Sequence, residues 1–139
     1  MIAATKVVAA SLLLLASSTA CSMFKHPDSM NVCADIPAAK GDVKFAKTGN
    51  GNTSINLTLE YLADPQKLQP PATIYVVWVR ADQGSAAQNI GALKVDDKRK
   101  GTLKTVTPMV GFDLFVTPEQ TGQAQEPTGK QLFWTSHRP

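Results

Sequence analysis

The sequence predicts an all-β fold, an immunoglobulin-like two-sheet β-sandwich of about seven strands, with a closed barrel as the alternative. Three observations lead there. In "SINLTLEYL", Ile55, Leu57, Leu59 and Tyr61 alternate with Ser54, Asn56, Thr58 and Glu60, the period-two pattern of a strand with one wet face. Runs of similar length recur down the chain, each bounded by Gly, Pro, Asn or Asp. Beyond residue 40 no segment carries apolar side chains at the three-and-four spacing of a helix. At 139 residues the chain suffices for one domain with a real core.

Taken in order, "GDVKFAK" places Val43 and Phe45 on one side, and "TGNGN" supplies a hairpin turn suited to positive φ. "SINLTLEYL" follows. The three prolines of "ADPQKLQPPA" make it a crossing loop rather than a strand. "TIYVVWVRA" is apolar on both parities, which predicts a central strand covered on both faces or a surface contact strip. "QNIGALKVDD" supplies Leu93 and Val95, "KRKG" turns, and "TLKTVT" returns, forming a second hairpin with a polar outer face. "GFDLFVT" sends Phe112, Leu114 and Val116 inward with Phe115 opposite. After the Gly/Pro/Gln-rich loop "PEQTGQAQEPTG", "KQLFWTS" closes the domain with Leu132 and Trp134. The sandwich is thus expected over residues 41–136.

The first forty residues read differently. Residues 1–20 run from a short segment with one charge, Lys6, through an apolar stretch to the small residues "SSTA". The apolar stretch is about ten residues long, against the roughly 20 a bilayer span needs, and the three zones are the plan of a secretory signal peptide. Cys21 follows directly. In an exported chain Cys21 and Cys33 could close a disulfide. The placement of Cys21 after "SSTA" instead resembles the lipobox of bacterial lipoproteins, in which that sulfur carries the lipid anchor. Ser18 stands where the lipobox usually has Leu, whereas Ala20 and Cys21 match. A thioether-linked sulfur cannot also form a disulfide, so the two readings exclude each other, and the position of Cys21 favours lipid. Ser22 leans, by resemblance to the sorting rule of two-membrane bacteria, toward the outer membrane. Residues 21–40 hold two prolines and no steady period, and are expected to be a lipidated N-terminus and flexible tether.

Composition excludes some function classes. The formal net charge is +3, and Lys6 belongs to the leader, so the remainder carries about +2, too little for a nucleic-acid footprint. The densest basic run, "DDKRKG", mixes two acids with three bases and reads as a solvated turn in which Asp96 and Asp97 pair with Lys98 and Arg99. The two histidines, His26 and His137, lie in the tether and near the C-terminus, without an evident frame to hold a catalytic base. No phosphate-cradling glycine loop and no zinc-binding histidine pair occurs. Enzymatic activity and a cofactor are therefore not expected. Cys21, Met23, His26, Met30 and Cys33 form a donor set that copper(I) could use, but lipidation removes Cys21. The sequons at Asn52 and Asn56 read as strand-exterior residues.

From about Gly41 to Thr135 the layout resembles the extracytoplasmic C-terminal domain of anti-sigma-K-type regulators. "YVVWVRADQG" is similar to that family's Tyr–x–x–Trp strand and turn, and "NIGALKVDD" to its Gly-preceded strand. Thr117 to Glu119 and Pro127 to Gly129 are similar to its Thr–x–Glu and Pro–Thr–Gly. The resemblance implies a β-sandwich. It does not carry over sigma-factor binding, because the family's cytoplasmic region and transmembrane helix are replaced here by the leader and Cys21. The expected function is a lipid-anchored extracytoplasmic module that binds an envelope protein or wall component, with Tyr75 or Trp134 as contact residues. The alternatives are a structural envelope lipoprotein without a specific ligand, and a small-ligand or copper carrier.

Overall fold

The computed structural model describes residues 28–139. The leader, Cys21 and the donors Met23 and His26 lie outside the described residues. The chain forms ten strands: β1 Asp28–Ser29, β2 Asn31–Val32, β3 Lys40–Lys47, β4 Thr53–Glu60, β5 Ile74–Arg80, β6 Gln88–Ala92, β7 Lys94–Val95, β8 Gly101–Thr107, β9 Phe112–Glu119 and β10 Phe133–His137. They make two five-stranded antiparallel sheets, sheet A in the order β1-β3-β4-β8-β7 and sheet B in the order β2-β10-β9-β5-β6. The two-sheet β-sandwich read from the sequence is the fold. The longer strands are the predicted ones, and three two-residue strands are added to them.

Alternation builds the core. Val43, Phe45, Ile55, Leu57 and Leu59 from sheet A meet Tyr75, Val77, Val79, Phe112, Leu114, Val116 and Phe133 from sheet B in one buried cluster. The hairpin between β3 and β4 closes as its sequence predicts, with Gly51 at positive φ and the Thr48 amide donating to the Asn52 carbonyl.

The chain changes sheets twice within an edge. Between β1 and β2 it crosses at Met30, and between β6 and β7 at Leu93, both buried residues that pack between the layers. The first crossing revises the tether. Residues 28–40 pair with β3 and β10 and bury Met30, Cys33 and Ala39, so they belong to the sandwich. Residues 21–27 of the expected tether lie outside the described residues. The second crossing divides the expected hairpin of residues 88–107, for β6 pairs with β5 while only Lys94–Val95 pairs with β8. Gly91, at φ 142°, sits where the β5–β6 register shifts, and a Cβ there would come within 3.0 Å of Leu103.

Three side chains point elsewhere than their sequence pattern suggests. Tyr61 does not extend the inward row of β4; it takes φ 57° just past the strand end, is exposed, and leaves the core place to Leu62. Val95 is exposed, because the chain has already changed sheets at Leu93. On β10 the inward aromatic is Phe133, which puts Trp134 on the outer face of sheet B, 39% exposed.

The placement of Met30 predicts that the N-terminal crossing holds the two layers together. Met30→Ala should lower unfolding free energy by about 2–4 kcal/mol, against less than about 0.5 kcal/mol for Ser29→Ala on the exposed β1. Urea denaturation of the two variants checks it, and equal small losses would return this segment to a tether.

Candidate functional site

Strand registers place the loops at two ends of the sandwich. Arg80, Phe112, His137, Lys47, Thr53 and Thr107 mark one end; Ile74, Glu119, Glu60 and Gly101 mark the other. The described chain begins beside Val43 and runs away from the first end. The Pro-rich loop 61–73, segment 33–39, and loop 120–132 all gather at the second.

Loop 120–132 is held there by a buried carboxylate. Glu119, 2% exposed, closes β9 and accepts from four donors. The Thr117 hydroxyl donates at 2.6 Å and the Thr128 hydroxyl at 2.5 Å; the Thr128 and Gly129 amides donate at 2.9 and 3.2 Å. Thr117 in turn accepts from the Trp78 indole Nε1 at 2.9 Å. One hydrogen-bonded chain therefore runs from the indole on β5 through β9 into the loop. Gly129 has no room for a side chain, since a Cβ would fall 2.1 Å from the Pro118 carbonyl. Burial pushes the Glu119 carboxyl up, but the donations from Thr117, Thr128 and Gly129 outweigh it and hold the group below the ordinary value of 4.5.

The loop so fixed covers the outer face of sheet B. Ala124, Ala87 and Ile74 pack on Val76, Trp78 and Phe115, and the Asn89 amide donates to the Gly122 and Ala124 carbonyls at 3.0 Å each. Covering by this loop explains why β5 is apolar on both parities. β5 is, as expected, an interior strand of its sheet, flanked by β9 and β6. In register across that face lie Asn89, Trp78, Phe115, Trp134 and Asn31. The Arg80 guanidinium stacks 4.6 Å above the Phe115 ring, and Asp113 pairs with Arg80 and Arg138 and accepts from Ser136.

Between the Pro-rich loop, segment 33–39 and the anchored loop opens a cleft of about 370 Å³, within the range of small-ligand sites. Pro70, Pro71, Pro118 and Leu132 supply apolar wall, and Lys67 and Gln69 supply polar groups. Lys130 and Asp35 cross its rim as an exposed ion pair at 2.5 Å, which lowers the Asp35 pKa and raises that of Lys130. The Asp35–Ile36 ridge separates the cleft from a second groove that Tyr61 and Arg99 line. The Pro-rich loop is itself fixed, because the Tyr75 hydroxyl donates to the Ala63 carbonyl at 2.7 Å; burial, with Asp64 adding to it, pushes that phenol up to about 12.

The expected contact residues divide. Tyr75 is a core residue that positions the loop, Trp134 is half-exposed on sheet B, and Tyr61, at 61% exposure, is the aromatic that stands beside the candidate site. Cys33 is a free, buried thiol, and it and Met30 are committed to the core. Among the described residues no three potential metal ligands cluster. His137 is better framed than its position near the C-terminus suggests: it lies on β10 against the Phe45 and Phe112 rings. Asp96 caps its turn through the Lys98 and Lys100 amides, both at 2.9 Å, rather than by pairing with charges.

No protein-family model matches the chain, and no curated protein does. Trp78, Thr117, Glu119, Thr128 and Gly129, some of the residues that carry the family resemblance, share one hydrogen-bonded network, whereas Tyr75 bonds elsewhere.

Removing that carboxylate strands several donors. Glu119→Ala should cost about 3 kcal/mol and red-shift Trp78 emission, read in a Trp134→Phe background. Because the folded pKa of Glu119 lies below its unfolded one, its stabilisation is complete above pH 4.5 and is lost as pH falls through the folded value. Glu119→Gln should flatten that acid limb of the urea midpoint; an unchanged limb assigns acid sensitivity to other groups.

Proposed function

We propose that this protein is a lipid-anchored, extracytoplasmic binding module of a bacterial cell envelope, carrying its lipid on Cys21 and acting by binding rather than catalysis. The observation that carries this is where the described chain begins: Asp28 sits opposite Val43, midway along β3 at the edge of sheet A, and residues 28–32 take no part in lining the cleft. An anchor attached before residue 28 therefore leaves the cleft free to meet an envelope protein or a wall component. The burial of Cys33 in the core fits lipid on Cys21 better than a disulfide to it. No helix among the described residues is long and apolar enough to cross a membrane, so on this reading attachment falls to the leader and Cys21. The reading keeps the resemblance of "YVVWVRADQG", Thr117 to Glu119 and Pro127 to Gly129 to the outer domain of anti-sigma-K-type regulators, without their sigma factor. Ser22 directs the reading toward the outer membrane, facing the periplasm.

Exposed apolar side chains favour the binding reading over a purely structural one only at the cleft end. Tyr61 stands there, whereas Val106, Val110 and Trp134 are dispersed over other surfaces.

Mass spectrometry of the protein recovered from a bacterial host tests the anchor. The expected N-terminal residue is Cys21 bearing a diacylglyceryl thioether, and Cys21→Ser should move the protein from the membrane to the soluble fraction. An unmodified Cys21 or an intact leader overturns the proposal.

A further inference from the structure

We infer that the outer face of sheet A is a lipid-contact surface, docking electrostatically on the anionic headgroups of the membrane that carries the anchor. Alternation along β3, β4 and β8 sends the apolar residues into the core and leaves a polar outer face. Register brings Lys44, Asn56 and Lys104 into one row, and Asp42, Thr58, Thr102 and Lys94 into the next. Lys40 stands opposite Glu60, which also pairs with Lys100 at 3.7 Å. Five lysines thus share this face with two acids, Asp42 and Glu60. Lys40, Lys44, Lys94 and Lys104 are all exposed.

The opposite face offers no such surplus, because Arg80 and Arg138 are both turned to Asp113 and the loop covers much of the rest. Sheet A's outer face has little apolar area to insert, Ala46 and Val106 being its exposed apolar positions. Attraction there is therefore a matter of charge, and an anionic leaflet supplies the complementary sign. Position favours the same partner. Asp28, where the described chain begins, lies on β1 at the edge of sheet A. The seven residues from Cys21 span at most about 25 Å, comparable with the roughly 27 Å of an eight-residue strand. A tether that short keeps the face at high effective concentration over the lipid, so weak adhesion suffices. Docked this way, the sandwich turns the covered face of sheet B away from the membrane and leaves the cleft open at its side.

This inference relies on the lipid-anchor reading for proximity, yet its test does not. Residues 28–139 contain both sheets and the whole core, so they can be purified without Cys21 and sedimented with vesicles. Vesicles of phosphatidylcholine containing about one-third phosphatidylglycerol should bind the protein at low salt, and pure phosphatidylcholine should not. Lys44→Gln/Lys94→Gln/Lys104→Gln should lower the partition coefficient on the order of a hundredfold. The charge-matched Lys67→Gln/Lys98→Gln/Lys130→Gln should lower it far less. Raising salt to about 0.5 M should release the protein. Absence of binding, equal binding to neutral vesicles, or equal losses in the two triple variants overturns the inference. So does binding through the same lysines to soluble polyphosphate but not to vesicles. An unlipidated Cys21 would defeat the anchor reading while leaving these vesicle results standing, and the reverse failure is equally separable.

Discussion

One buried carboxylate organises the cleft end of this molecule. An ionised group taken from water is tolerated only when its lone pairs are filled, and Glu119 meets that condition by gathering donors from β9 and from a loop ten residues further on. The loop would otherwise be a polar, Gly- and Gln-rich segment with little reason to stay on a sheet. Fixed at Thr128 and Gly129, it shields Trp78 and Phe115 from water and forms one wall of the cleft. The shape of the site therefore depends on an electrostatic contact outside the main hydrophobic core.

The core itself is conventional in its physics. Alternating strands supply one buried face per sheet, and large side chains from both layers interdigitate. What individualises the sandwich is how its margins are made. The two crossings at Met30 and Leu93 let a single stretch of chain border both sheets, which ties the layers at opposite flanks. Tyr75 adds a third tie by reaching from the core to the Ala63 carbonyl, converting a proline-interrupted loop into a fixed wall.

Much of this architecture is legible in the sequence. Period-two alternation locates β3, β4 and β9, and the Gly/Asn turn locates their hairpin partner. The doubly apolar β5 announces that something covers its outer face. What covers it is not legible, because "GQAQEPTG" has no hydrophobic pattern; its position follows from the meeting of Glu119 with Thr128, which are joined only in three dimensions. The two-residue strands β1, β2 and β7 escape notice for a related reason. Two residues cannot display a period, and their pairing is decided by the neighbours Val43, Phe133 and Gly101 rather than by themselves. Tyr61 and Trp134 show the limit of parity counting, which fails at a strand end once the backbone turns or the register begins one residue later. The cleft depends on three separated segments, and no short stretch of sequence forecasts it.

The interrupted margins have a consequence for encounters between copies of the chain. Bare sheet borders would invite them to polymerise strand by strand. Here the edge strands β1, β2 and β7 are two residues long, β6 is bent at the Gly91 irregularity, and Lys44 and Lys47 stand on the part of β3 that β1 leaves open. Crowding therefore meets repulsion and broken backbone patterns instead of an open ladder. Recognition of another molecule is left to side chains and loops.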